Sequence, residues 1–129
     1  TLELDHVLPY TLLDQQQFAF AFENVFYNAI ASLDKRGTIL ISTHFTQSFD
    51  ADLGSIADFI ELRVQDNGIG IEPELLHRVT QPYFTTKKEG TGLGLGIAIK
   101  TIEMHGGQFF IDSQVNVGTT VTIRLKPAA

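Results

Sequence analysis

Cysteine is absent from this 129-residue chain, so neither a disulfide framework nor a thiolate metal site is open to it. Its four histidines, His6, His44, His77 and His105, are scattered without ligand spacing, which argues against a structural metal. Basic residues are few, nine against fifteen acids for a net charge of −6. They form no stripe, so general affinity for nucleic acid is disfavoured. No apolar run approaches the roughly 20 residues that span a bilayer, and Thr1-Leu2-Glu3-Leu4-Asp5 lacks the basic and apolar regions of a leader. No direct membrane contact is expected, and the chain reads as cytoplasmic whatever anchors its parent. It begins without methionine and enters a strand pattern at once, which reads as a piece of a longer protein. The length fits one domain, residues 1–129, able to bury about two thirds of its unfolded surface.

Glycine, by contrast, is concentrated. Asp66-Asn67-Gly68-Ile69-Gly70-Ile71 closes a strand pattern, and Gly90-Thr91-Gly92-Leu93-Gly94-Leu95-Gly96 opens a helix pattern. Alternating glycines let backbone amides approach an anion without Cβ interference, and the following helix offers unpaired N–H groups and the positive end of its dipole. A nucleotide phosphate is the natural guest. The G-x-G-x-x-G fingerprint fails, because starts at Gly90, Gly92 and Gly94 require glycine where Leu95, Ile97 and Ile99 stand. A Walker loop fails too, since Lys100-Thr101 follows Ile99 inside a helix pattern.

The remaining pattern gives a coarse architecture. Leu2 to Asp5 alternates and stops at Pro9, as an edge strand does. Asp14 caps a helix running to about Asp34 and ending at Gly37, with Gln17 as its reciprocal partner. The core stripe is Phe18, Phe22, Val25, Ala29 and Leu33, widened by Phe26 and Ile30. Thr38 to Phe45 and Phe59 to Gln65 read as a strand pair, separated by a polar loop or short insertion over Thr46 to Asp58. Glu72-Pro73-Glu74 opens a short helix to about Val79. Gln81 to Gly90 is aperiodic. Leu93 to Met104 is a buried helix stopped by Gly106-Gly107, and strands Gln108 to Ser113 and Thr119 to Lys126 close the chain. In the last strand Thr119, Val121, Ile123 and Leu125 face in, while Thr120, Thr122, Arg124 and Lys126 face out. This order predicts an α+β two-layer sandwich: a mixed, mostly antiparallel sheet with about three helices on one face.

Three groups of residues carry chemistry. Period 2 puts Asp66 on the face shared by Ile60, Leu62 and Val64, so a carboxylate points at the core and needs a donor. Either it caps a turn by bonding the Gly68 and Gly70 amides, or it accepts from a ligand amino group such as adenine's exocyclic amine while those glycines admit the base. Asn24 and Asn28 lie one turn apart on a helix face. They are either a solvated edge or neutral oxygen ligands for a hard cation such as Mg²⁺. Glu23 lies about 100° round the helix from Asn24, a base or a surface residue. Thr85, Thr86, Lys87 and Lys88 could close over a triphosphate or simply be solvated, and Phe84 beside them wants a place to dock.

Taken in order, Asn24-x-x-x-Asn28-Ala29, Asp66-x-Gly68-x-Gly70, Pro82-Tyr83-Phe84-Thr85-Thr86-Lys87, Gly90-Thr91-Gly92-Leu93-Gly94-Leu95 and Gly118-Thr119-Thr120 resemble the N, G1, F, G2 and G3 boxes of bacterial sensor histidine kinases. The resemblance spans nearly the whole chain. It implies the catalytic and ATP-binding domain of such a kinase, a Bergerat-fold sandwich shared with type II topoisomerases, mismatch-repair ATPases and a heat-shock chaperone. It further implies that Asp66 holds the adenine amine, with Gly68, Gly70 and Ile71 beside it. Asn28 would ligate Mg²⁺, and Asn24 would stand where hydrolysing relatives carry a general-base glutamate. An asparagine there cannot take a proton from water, which favours phosphoryl transfer.

Gly90, Thr91, Gly92, Leu93, Gly94 and Leu95 would wrap the phosphates under a short lid holding Phe84, Thr85, Thr86 and Lys87, with Lys87 nearest the transfer. Thr120 matches a hydroxyl position near the adenine. Ala31 departs from the lysine or arginine usual there, so that phosphate contact is either missing or supplied by another residue, for which Lys35 is a candidate. The implied partners are a dimerisation and phosphoacceptor domain of the same kinase, absent from this chain, and a downstream response regulator. His6-Val7-Leu8-Pro9 has neither the acid nor the helix of an acceptor motif. The alternatives are a non-catalytic ATP-sensing or docking module, and an ATP-hydrolysing Bergerat-fold relative.

Overall fold

The computed structural model describes residues 1–4, 14–33, 36–79 and 94–127. Its elements are β1 (Leu2–Glu3), α1 (Gln15–Ser32), β2 (Ile39–Asp50), β3 (Ser55–Asp66), α2 (Pro73–Val79), α3 (Gly94–Met104), β4 (Gln108–Gln114) and β5 (Gly118–Leu125). The sheet order is β1-β2-β3-β5-β4. Only the β1–β2 pair is parallel, so the sheet is mixed and mostly antiparallel, as the pattern predicts.

Asp14 caps α1, its Oδ1 accepting the Gln17 N–H at 3.0 Å. The start of α1 is also tied to the end of α3: the Asp14 N–H donates to His105 Nε2 at 3.0 Å, and His105 Nδ1 lies 2.8 Å from the Thr101 carbonyl. The helix ends at Ser32, slightly before the expected Asp34, where the Leu33 N–H turns back to the Ile30 carbonyl. Ala21, Val25 and Ala29 are its buried residues, with Phe18 and Phe22 packed beside them. Ile30, expected to widen that stripe, is 44% exposed because it lies about 100° past Ala29. Across the core stand Leu95, Ala98 and Ile102 of α3, and beneath them Ile60, Val64, Val121, Ile123 and Leu125 of the sheet. Each large aliphatic side chain buried there contributes about 2 kcal/mol.

The stretch expected to be a loop, Thr46 to Asp58, is instead the far half of a hairpin, with β2 and β3 in register out to Asp50 and Ser55. Phe49 faces Ile56 across the strands, Gln47 Nε2 donates to Asp58 at 3.0 Å, and the Gly54 N–H closes the turn on the Asp50 carbonyl at 2.8 Å. Local cross-strand pairs hold this ribbon. Its sequence looks loop-like because its apolar residues Phe45, Phe49 and Ile56 are exposed, while the face that alternates into cover, Thr46, Ser48 and Asp50, is polar.

Long-range polar contacts on the other side of the sheet draw the ribbon toward β5. Arg124 Nη1 donates to Ser48 Oγ at 3.0 Å, and Lys126 Nζ lies 3.2 Å from Asp50 Oδ2. Glu61, also buried, is clamped by Arg63 Nε at 2.7 Å and Arg124 Nε at 3.1 Å. Asp50 is almost wholly buried, which alone would raise its pKa. The Lys126 ammonium and the N–H groups of Asp52 and Leu53 outweigh that, so its carboxyl sits below the usual 3.8. A lowered folded-state pKa contributes stability that is present above 3.8 and is lost as pH falls through the folded value. Asp50→Asn is therefore expected to lower the denaturation midpoint at neutral pH and to lose that difference in strong acid. Equal differences at both pH values, by urea unfolding, would refute this role.

Candidate functional site

A cavity of about 460 Å³ lies between α1, α3 and the sheet, within the range of small-ligand sites. Its walls are mainly apolar: Val25 and Ala29 from α1, Leu95 from α3, Leu75 from α2, and Val64, Ile111 and Val121 from the sheet. The polar groups are few and come from different elements, chiefly Asn28, Asp66, Asn116 and Thr119, with Glu72 also lining it.

Asp66 arrives by strand periodicity. It ends β3 on the core face and is 6% exposed. Its Oδ1 accepts the Gly68 N–H at 2.9 Å, the turn bond that the sequence offered as one reading. Among the described residues its second oxygen has no partner, so turn and ligand roles do not compete for the same atom. Asp66 is the register partner of Thr119 on β5, which places the two side chains together on one face. Behind Thr119 stands Ser113 of β4, its Oγ 2.7 Å from Thr119 Oγ1.

The loop after Asp66 is threaded between α1 and the β4–β5 turn. The Ile69 N–H donates to the Ser32 carbonyl at 3.0 Å, the Ile69 carbonyl accepts from Asn116 at 2.8 Å, and the Ile71 N–H donates to Ser113 Oγ at 2.8 Å. A Cβ at Gly68 would collide with the Ser32 carbonyl, and one at Gly70, where φ is +72°, with the Gln114 carbonyl. Neighbouring chain, rather than a bound base, occupies the space where those side chains would stand.

On α1, the Asn28 Nδ2 donates to the Asn24 carbonyl at 2.7 Å. Among the described residues the amide oxygen of Asn28, which lines the cavity, has no partner, as a hard cation would require of a neutral oxygen ligand. The donor set therefore fits Mg²⁺ held by Asn28 together with ligand oxygens.

The structure brings Asn28, Ala31, Asp66, Gly70, Ile71 and Leu95 to the cavity, with Gly68 bonded at its edge. Asn24 does not line it, and its side-chain nitrogen is buried without a partner among the described residues. Thr120 does not line it either. Strand alternation turns Thr120 to the opposite face and gives the cavity Thr119, a correction to the expected hydroxyl. Gly94 opens α3. Phe84, Thr85, Thr86, Lys87, Gly90, Thr91, Gly92 and Leu93 lie outside the described residues, as does Lys35. Thr119 had a signal in the period-2 pattern of β5. Asn116, in a left-handed turn at φ 64°, had none that would place it at a cavity.

Sheet order, one helical layer and a cavity between the two define a two-layer sandwich of the Bergerat class. Residues 13–129 match the profile of the histidine kinase-, DNA gyrase B- and HSP90-like ATPases, and the chain belongs to that family. Sporulation kinase D of Bacillus subtilis (strain 168) is 37% identical over 106 residues, which are 82% of this chain and 19% of that protein. Sensor histidine kinase ZraS of Escherichia coli (strain K12) is 33% identical over 118 residues, 92% of this chain and 23% of that protein. The chain thus spans about a fifth of the length of these relatives. Among solved structures, the nucleotide-free catalytic domain of histidine kinase ThkA superposes with a TM-score of 0.76 at 28% identity, covering 97% of this chain and 76% of that one. Among the described residues, no helix is long and apolar enough to cross a membrane.

Proposed function

We propose that this chain is the single catalytic domain of a longer cytoplasmic or membrane-anchored kinase, which binds Mg-ATP and passes the γ-phosphoryl group to a histidine on the parent's dimerisation domain. A response regulator would receive it next. The observation that carries the reading is the cavity itself: an apolar slot lined by one buried carboxylate oxygen and, on α1, one amide oxygen, both without a partner among the described residues.

In this reading Asp66 accepts from the adenine amine, and Val64, Val121, Ile111 and Leu95 exclude water around the base. Leu95 places the first turn of α3 at the cavity, so its unpaired N–H groups and dipole favour phosphate there. Magnesium, when bound, neutralises charge on the phosphate oxygens, and Asn28 is its protein ligand. Chemistry then needs alignment of an incoming imidazole rather than a base for water. Asn24 agrees with that, because an amide cannot take the proton that hydrolysis releases.

The test is to mix the chain with the parent's separately expressed dimerisation domain and γ-labelled ATP. Acid-labile label is expected on the dimerisation domain alone, with no steady-state phosphate release from the isolated chain. Strong self-labelling would overturn the division of labour. Phosphate release without transfer would move the chain to the hydrolysing branch, and ATP binding with neither product would make it a sensing or docking module.

A further inference from the structure

Ser113 does not line the cavity, yet it has three polar partners behind it. Its Oγ accepts the Ile71 N–H at 2.8 Å, lies 3.2 Å from the Gly118 carbonyl and 2.7 Å from Thr119 Oγ1. A serine hydroxyl has one proton and two lone pairs. The Ile71 N–H can only donate and the Gly118 carbonyl can only accept. All three contacts are hydrogen bonds in a single arrangement: Ser113 gives its proton to Gly118, and Thr119 gives its proton to Ser113. If Ser113 donated to Thr119 instead, the Gly118 contact would be lost. The three-bond arrangement leaves Thr119 with lone pairs, and no proton, toward the cavity.

Thr119 lies beside Asp66, its register partner. Asp66 Oδ1 is engaged by Gly68, and its other oxygen accepts only. Asp66 and Thr119 together therefore present acceptors and no donor at the inner end of the cavity. An amino group satisfies both, whereas an oxo group in the same place meets lone pairs on two sides.

We propose that Ser113 is a positioning residue for base selection: by holding the Thr119 proton, it makes the site accept a 6-amino purine nucleotide and reject a 6-oxo one. This rests on the ATP reading above. Removing the Ser113 hydroxyl frees Thr119 to rotate and donate to an oxo group, while an amine still finds Asp66.

Calorimetric titration with Mg-ATP and Mg-ITP tests it. The wild-type chain is expected to favour ATP by about 100-fold, the order of one lost hydrogen bond to a charged group. In Ser113→Ala the ratio should fall about tenfold, mainly because ITP binds more tightly, and Ser113→Thr should retain it. Thr119→Val should lower the ratio as well, and adding Ser113→Ala to it should change nothing further, since the effect runs through that hydroxyl. An unmoved ratio in Ser113→Ala, or in Thr119→Val should the serine variant not fold, with ATP still bound, overturns the inference and leaves the ATP reading standing. A wild-type chain that binds no ATP overturns both.

Discussion

Asp66→Asn is expected to weaken ATP binding by tenfold or more, since a hydrogen bond to a charged group is worth about 1.5–3 kcal/mol. The geometry sharpens this beyond loss of charge. Gly68 already donates to Asp66 Oδ1, so the amide of the variant must keep its oxygen on that side and turn its NH₂ toward the cavity. A donor would then face the adenine amine, also a donor. Because the turn bond survives, the fold should survive too, and the thermal midpoint serves as the control. Calorimetric affinity unchanged in a folded variant would remove Asp66 from the base site.

Gly118→Ala is expected to be the most damaging added methyl among the described glycines. Gly118 has φ 142°, and a Cβ there would run into the Asp66 carbonyl. Strain at such a φ and forced displacement of packed backbone each cost of the order of 1–3 kcal/mol. A total of about 3 kcal/mol lowers the midpoint of a domain this size by roughly 10 °C. The neighbours that must move are Asp66 and Asn67, and Thr119 follows Gly118 in the chain, so ligand affinity should fall with stability. Gly54→Ala is the comparison: its φ is +69°, but an added Cβ meets nothing within 4 Å, leaving strain of about 1 kcal/mol. Equal losses in the two variants, by calorimetry, would show that collision at Gly118 is not what matters.

What could be read from the sequence divides along local and long-range physics. Period 2 in β3 placed Asp66 on the core face, and period 2 in β5 separated Thr119 from Thr120, because alternation is fixed by backbone geometry within a few residues. The resemblance pointed to Thr120, and the alternation was the better guide to the cavity wall. Helix α1 was found from Asp14 and its apolar spacing, while Ile30 fell outside the core because a stripe's width depends on what covers it. The hairpin was underestimated for a different reason. Ser48 and Asp50 meet Arg124 and Lys126 from the far end of the chain, a distance in sequence that no window sees. Ser113 was invisible as a site residue for the same reason: its meaning lies in three partners on two other segments.

The bond from Ile69 to the Ser32 carbonyl joins the last turn of α1 to the loop that follows Asp66. It acts as the spine of a book whose covers are the helix bearing Asn28 and the strand ending in Asp66. Held at that edge, the two covers keep their spacing, so the distance from the Asp66 carboxylate to the Asn28 amide is set before any ligand arrives.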